Sequence, residues 1–264
     1  MFRKQYLVWV ITLFFVGCST VPITGRKQLK LISNNELLPL SFGQYKEVIE
    51  AGPLSTNQEQ AEMIRRVGNK IKSAAEKYYA DHHISSKLSG YQWEFNLIES
   101  EQVNAWCMPG GKVAFYTGIL PICAGENGVA VVMGHEVAHA LANHGNERMS
   151  QGMVAQFGMN SLGAALGENP SQTKVLFQQA VGMGTQVGML KFSRGNESES
   201  DHIGLILMAM AGYDPSEAVE FWKRMDALSG GKQPMEFLST HPSHDTRVAD
   251  LKALLPEAMK HYKP

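Results

Sequence analysis

The sequence predicts an α+β fold, mostly helical with a small β-sheet, and three observations lead there. Apolar residues recur at helical spacing over much of the chain, only two short segments read as strands, and no internal repeat is evident. The 264 residues suffice for one large core. Four Trp and 44% hydrophobic content exclude a disordered chain. A net charge of −1, with no long run of Lys and Arg, argues against a nucleic-acid partner.

From the N-terminus, Arg3 and Lys4 precede an apolar stretch, Leu7 to Val16, that runs into Phe15-Val16-Gly17-Cys18. Crossing a bilayer takes about 20 apolar residues, so this leader is too short to span. Its similarity to a bacterial lipobox predicts a lipoprotein signal peptide over 1–17 and a lipidated Cys18; ordinary secretion, with Cys18 discarded or free, competes. Ser19 resembles an outer-membrane sorting context, which implies a lipid anchor in the cell envelope facing the periplasm. Residues 18–33 read as a lipidated N-terminus and tether, and 34–264 as the folded domain.

Thr56-Asn57-Gln58-Glu59 reads as a capping box. Behind it Met63, Ile64, Val67, Ile71 and Ala74 predict an amphipathic helix ending before Ser85. Tyr91, Trp93, Phe95 and Leu97 alternate with polar residues as in a half-buried strand, and a second strand, Val113 to Thr117, follows Gly110-Gly111. Helices then dominate: one from about Asn127, one carrying Glu197, one opened by Asp214-Pro215-Ser216-Glu217, and a last from near His244. The stretch from Gln151 to Phe192 is rich in Met and Gly. Gln156, Asn160, Glu168, Asn169 and Pro170 interrupt it, so it reads as core or lid helices in place of a membrane span. A Met-rich lid would accommodate varied unfolded substrates, because thioether side chains repack easily.

The chemistry centres on His135-Glu136-Val137-Ala138-His139. Positions four apart on a helix differ by only about 40°, so both imidazoles leave one face and can grip one metal ion. Glu136 lies about 100° round, too far to ligate but placed to act as base on a water at an open coordination position. His144 is five steps on, about 140° from His139 if the helix continues, and reads as a surface or capping residue. A later helix offers a carboxylate: Glu197 and Asp201 are four apart and share a face, whereas Glu199 points elsewhere. That pair suits one ligand and one acceptor that fixes the tautomer of a ligand imidazole.

With these motifs the chain resembles the gluzincin metalloprotease family that includes the CAAX prenyl endopeptidases, the Oma-type mitochondrial proteases and the bacterial HtpX and BepA proteases, and among them the small lipoprotein members. Asn104 to Val113 is similar to that family's strand leading into the site, and Gly134 with His135 to His139 to its zinc helix. The resemblance makes Glu197 the third zinc ligand beside His135 and His139, with Asp201 behind them. His241-Pro242-Ser243-His244-Asp245-Thr246-Arg247 is similar to the family's His-Pro segment, which implies that His241 and Arg247 face the active site and stabilise the charged intermediate. Alternatively His241 or His244 swings in as a fourth ligand and holds the enzyme latent. Val21 to Arg26 resembles a recurrent opening of the lipoprotein members, so this part of the tether is also a candidate to pack on the domain.

The resemblance thus implies a zincin-like domain binding one zinc per chain. Glu136 would serve as general base, and Val113, Ala114, Phe115 and Tyr116 would pair with an extended substrate. The function it implies is endopeptidase cleavage of unfolded, misfolded or damaged envelope proteins. The second hypothesis is a periplasmic chaperone or outer-membrane assembly factor with a latent or structural zinc. Cys107 and Cys123 either pair in an oxidising compartment or serve as small core residues.

Overall fold

A computed structural model describes residues 18–154, 192–229, 237–238, 241 and 246–263. The leader, most of the Met- and Gly-rich stretch, and His244 lie outside the described residues. The fold is α+β and mostly helical, as the sequence predicts.

The chain opens with a hairpin, β1 (Cys18–Thr20) against β2 (Lys27–Leu29), antiparallel with Ser19 opposite Gln28. Of the two readings of 18–33, a tether or, at Val21 to Arg26, a segment packed on the domain, the structure shows packing: Val21 is buried in the main core, and the backbone amides of Leu31 and Ile32 bond to Ser150 and Asn146. Helix α1 (Asn34–Ala51) follows, with Ser33 and Glu36 forming a reciprocal capping box. Helix α2 (Gln58–Asp81) buries Ile64, Val67, Ile71 and Ala74 as the spacing predicts. Its cap is Asn57, whose side chain accepts from the Gln60 amide at 3.1 Å, one residue later than the expected Thr56.

The three-stranded sheet has the order β3 (Glu94–Ile98), β5 (Lys112–Tyr116), β4 (Ala105–Met108). Strand β5 runs parallel to β3, with Phe95 opposite Val113, and antiparallel to β4, with Cys107 opposite Val113. Gly110 and Gly111, at φ of +86° and +83°, turn the β4–β5 hairpin through a conformation that side chains disfavour. Central β5 therefore has both edges paired, which overturns the expectation that a substrate pairs along Val113, Ala114, Phe115 and Tyr116. Among the described residues β3 and β4 are the edge strands of this sheet, and β4 is the one that packs on the helix carrying His135.

After the short α3 (Leu120–Cys123), helix α4 (Glu126–Leu141) buries every residue from Gly128 to Leu141. A helix apolar on all sides must be enclosed, and α4 is: α2 and β4 cover it, with α5 (Arg194–Met210) and α6 (Glu217–Ser229). Burial of side chains such as Val129, Val132, Met133 and Val137 stabilises this arrangement by about 1.5–3 kcal/mol each for the larger ones. Helix α7 (Arg247–Ala258) packs on α5 and α6 and starts three residues beyond the expected His244. Cys107 and Cys123 are both free thiols. Among the described residues no single helix is long and apolar enough to cross a membrane.

Candidate metal centre and active site

The site forms where α4 crosses α5. Gly134 and Gly204 meet there so closely that a Cβ on Gly134 would lie 2.9 Å from the Gly204 carbonyl oxygen, and one on Gly204 would lie 2.9 Å from the His135 amide nitrogen. Backbone-to-backbone approach of this kind puts Glu197, two turns before Gly204, beside the imidazoles of α4. Ser193 caps α5, its hydroxyl accepting from the Asn196 amide, and fixes where the Glu197 turn begins.

His135 Nε2 lies 3.1 Å from His139 Nε2, 3.2 Å from His241 Nδ1 and 3.4 Å from Glu197 Oε2. Glu197 Oε1 lies 3.4 Å from His139 Nε2 and 3.2 Å from His241 Nδ1. Tetrahedral zinc with bonds of about 2.0–2.1 Å sets its donors about 3.3–3.4 Å apart, so these separations, with Glu197 offering one oxygen to His135 and the other to His139 and His241, are close to donor spacings around one zinc ion. All four side chains are buried.

The hydrogen-bond geometry suits the same ion. A neutral His135 ring that donates from Nδ1 to Asp201 Oδ1, 2.9 Å away, presents Nε2 as a lone pair. His139 Nε2 faces that lone pair and a carboxylate at close range, an arrangement that a cation at the centre relieves. The residues present fit zinc.

Arg247 donates through Nη2 to Asp201 Oδ1 at 2.8 Å and through Nη1 to Glu197 Oε2 at 3.3 Å, and its guanidinium lies 3.4 Å from the centre of the Trp222 ring. It is 1% exposed. Both terminal nitrogens of the guanidinium are thus committed to the carboxylates that hold the ligand set. Burial alone would raise Glu197, but His241 and the hydrogen bonds from His135 and His139 hold it well below the usual carboxylate range. Asp201 is likewise held down against burial by Arg247 and His135. Burial drives His139 well below its usual value and so favours the neutral ring that ligation requires.

Glu136 is 2% exposed, and its Oε1 has no hydrogen-bond partner; the nearest ring nitrogen, His241 Nε2, is 3.4 Å away. Burial pushes its carboxyl up to about 7, with His241 pulling down and Glu197 pushing further up. A buried, unpartnered oxygen beside the ligands is what a base awaiting a proton looks like. The Cys107 backbone also hydrogen-bonds this carboxylate, which ties it to the β4 edge.

His144 corrects the sequence reading. It is fully buried, not at the surface, and its Nδ1 is 2.9 Å from His139 Nδ1. The argument from continuous helix geometry fails because α4 ends at Leu141, Asn143 takes a left-handed φ of 57°, and a new helical stretch over 144–154 starts at a different angle. An Asn in that position, a residue tolerant of left-handed geometry, is the signal that was available. Glu199, read as pointing elsewhere, turns to His144. Arg26, on the expected tether, reaches Glu199 and Glu147 at 2.7 Å each.

A helical domain with histidines four apart, a distant glutamate and an unpartnered carboxylate beside them defines a metallopeptidase of the zincin type. The model of peptidase family M48 matches residues 66–255, and the chain belongs to that family. It is 33% identical to the mitochondrial metalloendopeptidase OMA1 of Schizosaccharomyces pombe over 250 residues, covering 93% of this chain and 68% of that protein. Human mitochondrial metalloendopeptidase OMA1 is 30% identical, over 95% of this chain and 48% of the relative. The Escherichia coli beta-barrel assembly-enhancing protease is 25% identical, over 90% and 48%. The chain is a zinc metalloendopeptidase, an enzyme that hydrolyses peptide bonds.

Proposed function

We propose that one zinc per chain is held by His135, His139 and Glu197, and that the enzyme cleaves unfolded or damaged proteins of the cell envelope. The observation that carries the site assignment is the zinc-compatible spacing of the donor atoms beside an unpartnered Glu136 oxygen. When bound, zinc supplies Lewis acidity, polarising a carbonyl and lowering the pKa of water at an open position. Asp201 keeps His135 in the tautomer with a lone pair on Nε2, and Arg247 keeps Asp201 and Glu197 in place. Glu136 takes the proton of the attacking water on Oε1 and passes it to the departing amine. The open edge of β4 pairs with an extended substrate through main-chain groups, which gives affinity with little sequence selectivity and suits unfolded clients. Chelation by phenanthroline is expected to abolish casein degradation and stoichiometric zinc to restore it; degradation that persists after verified metal removal rejects the reading.

His241 is assigned the fourth position in the resting form. A site closed by four protein donors has no room for water, so turnover requires His241 to withdraw. If the open form is about a tenth of the molecules, His241→Ala raises basal peptide turnover about tenfold and weakens zinc binding. Lower turnover with zinc affinity intact would instead assign His241 to stabilising the intermediate.

The envelope assignment rests on the lipobox-like leader. With Cys18 lipidated, the anchor is close to the domain, since Val21, three residues on, is already in the core. A span of three residues reaches about 10 Å at most, so the catalytic domain would sit against the membrane surface. Absence of palmitate label in the expressed protein, or full release from membranes by salt, counts against this.

A further inference from the structure

His144 and the N-terminal hairpin stand in a chain of contacts that ends at a zinc ligand. His144 Nδ1 is 2.9 Å from His139 Nδ1, and its Nε2 is 2.9 Å from Glu199 Oε2. Glu199 accepts from the Thr24 hydroxyl and, at 2.7 Å, from Arg26 Nε, while the terminal nitrogens of Arg26 hold Glu147 at 2.7 and 2.8 Å. Asn196 donates to the same Glu147 at 3.3 Å.

Ligation fixes the tautomers along this chain. For His139 to present Nε2 as a lone pair, its proton sits on Nδ1 and is donated to the Nδ1 lone pair of His144. The remaining proton of His144 is then on Nε2 and is donated to the Glu199 carboxylate. One neutral form of each ring satisfies these contacts, with the Ser200 hydroxyl, 3.3 Å from the same His144 Nδ1, as a second polar neighbour of that nitrogen; a side chain unable to accept at the His144 position would leave the His139 ring free to turn.

The two histidine ligands are therefore supported in parallel ways. His135 is backed by Asp201 and then Arg247; His139 is backed by His144, then Glu199, then Arg26. Both carboxylates stand on α5, and the two arginines come from opposite ends of the chain.

We propose that His144 is the positioning residue of the second histidine ligand and that Arg26 and Thr24, acting through Glu199, make the N-terminal hairpin part of the metal centre. The proposal rests on the assignment of His139 as a ligand. A merely structural network would fasten the hairpin to the domain and lower the stability of the metal-free protein without touching metal affinity.

The test measures zinc dissociation constants by chelator competition, the unfolding temperature of the metal-free protein, and the visible spectrum of the cobalt-substituted protein. The variants are His144→Phe, Arg26→Met and Arg26→Lys beside the wild type and His139→Ala. Loss of a hydrogen-bonding partner of a ligand weakens metal binding about 10- to 100-fold, which is the expected result for His144→Phe together with shifted cobalt bands. Arg26→Met is expected to weaken zinc by a smaller factor and Arg26→Lys to recover part of it, since Lys restores the charge without the two-pronged contact. If His144→Phe fails to fold, the Arg26 pair decides. Unchanged zinc affinity and cobalt spectra, with only the metal-free unfolding temperature lowered, would overturn the proposal. Zinc binding by His139→Ala as tight as that of the wild type would instead remove the ligand assignment beneath it, and the proposal with it.

Discussion

Glu136→Gln is expected to retain zinc and to lower peptide turnover about 10²- to 10⁴-fold, the range that a positioned general base contributes. The amide is nearly isosteric with the carboxylate and cannot take up the water's proton. Zinc should remain because the donor set is complete without Glu136: the donor atoms of His135, His139, Glu197 and His241 already lie at zinc-compatible separations. Stability should not fall either. Glu136 is a buried carboxyl with one unpartnered oxygen, and such a group costs folding free energy unless it is paired. The expected pattern is therefore metal content at one equivalent, an unfolding temperature equal to or above that of the wild type, and a collapse of turnover on a fluorogenic peptide. Near-normal turnover would reject the base assignment, and loss of metal would place Glu136 among the ligands.

The same carboxyl shows why the centre was readable before the fold was. His135, Glu136 and His139 obey a rule of helix geometry alone, and Glu197 with Asp201 obeys the same rule on a second helix. An apolar run around the first motif forces α4 into the core, and once α5 is pressed onto it the two sets of side chains converge.

What escaped the sequence depended on breaks in regularity or on pairing between distant segments. His144 was misplaced because one left-handed residue, Asn143, restarts the helix at a new angle. The platform expected along Val113 to Tyr116 is the centre of the sheet because the four-residue β4, not among the segments that read as strands, pairs with β5 on one side while β3 pairs in parallel on the other. Helix α1 carries its own Ser33 and Glu36 capping signal, but Pro39 within its first turns and the sparse burial of its apolar residues conceal the pattern. The motif Val21 to Arg26 pointed to packing on the domain but not to the partners of Arg26, since Glu147 and Glu199 lie more than 120 residues away.

Gly204→Ala is expected to damage the site more than the fold. An added Cβ would stand 2.9 Å from the His135 amide nitrogen and 3.0 Å from the Gly134 carbonyl carbon, and neither backbone atom can rotate away. The helices must separate by several tenths of an ångström. Replacing a helical Gly by Ala itself favours the helix by about 0.5–1 kcal/mol, while forced separation of a packed contact costs about 1–3 kcal/mol, so the net loss of stability is modest. Catalysis has less tolerance. Glu197 lies two turns from Gly204 on the face that meets α4, and its oxygens sit at 3.4 Å from both imidazoles, so any outward shift stretches the donor set directly. A displacement approaching 1 Å costs turnover about 100-fold, and zinc affinity should fall with it. Gly134→Ala attacks the same contact from the other helix, with a Cβ at 2.9 Å from the Gly204 carbonyl oxygen. Because the two residues share one contact, the double variant should lose less than the two single losses added together. Zinc affinity and turnover unchanged in Gly204→Ala would mean that the helix crossing does not set the position of Glu197.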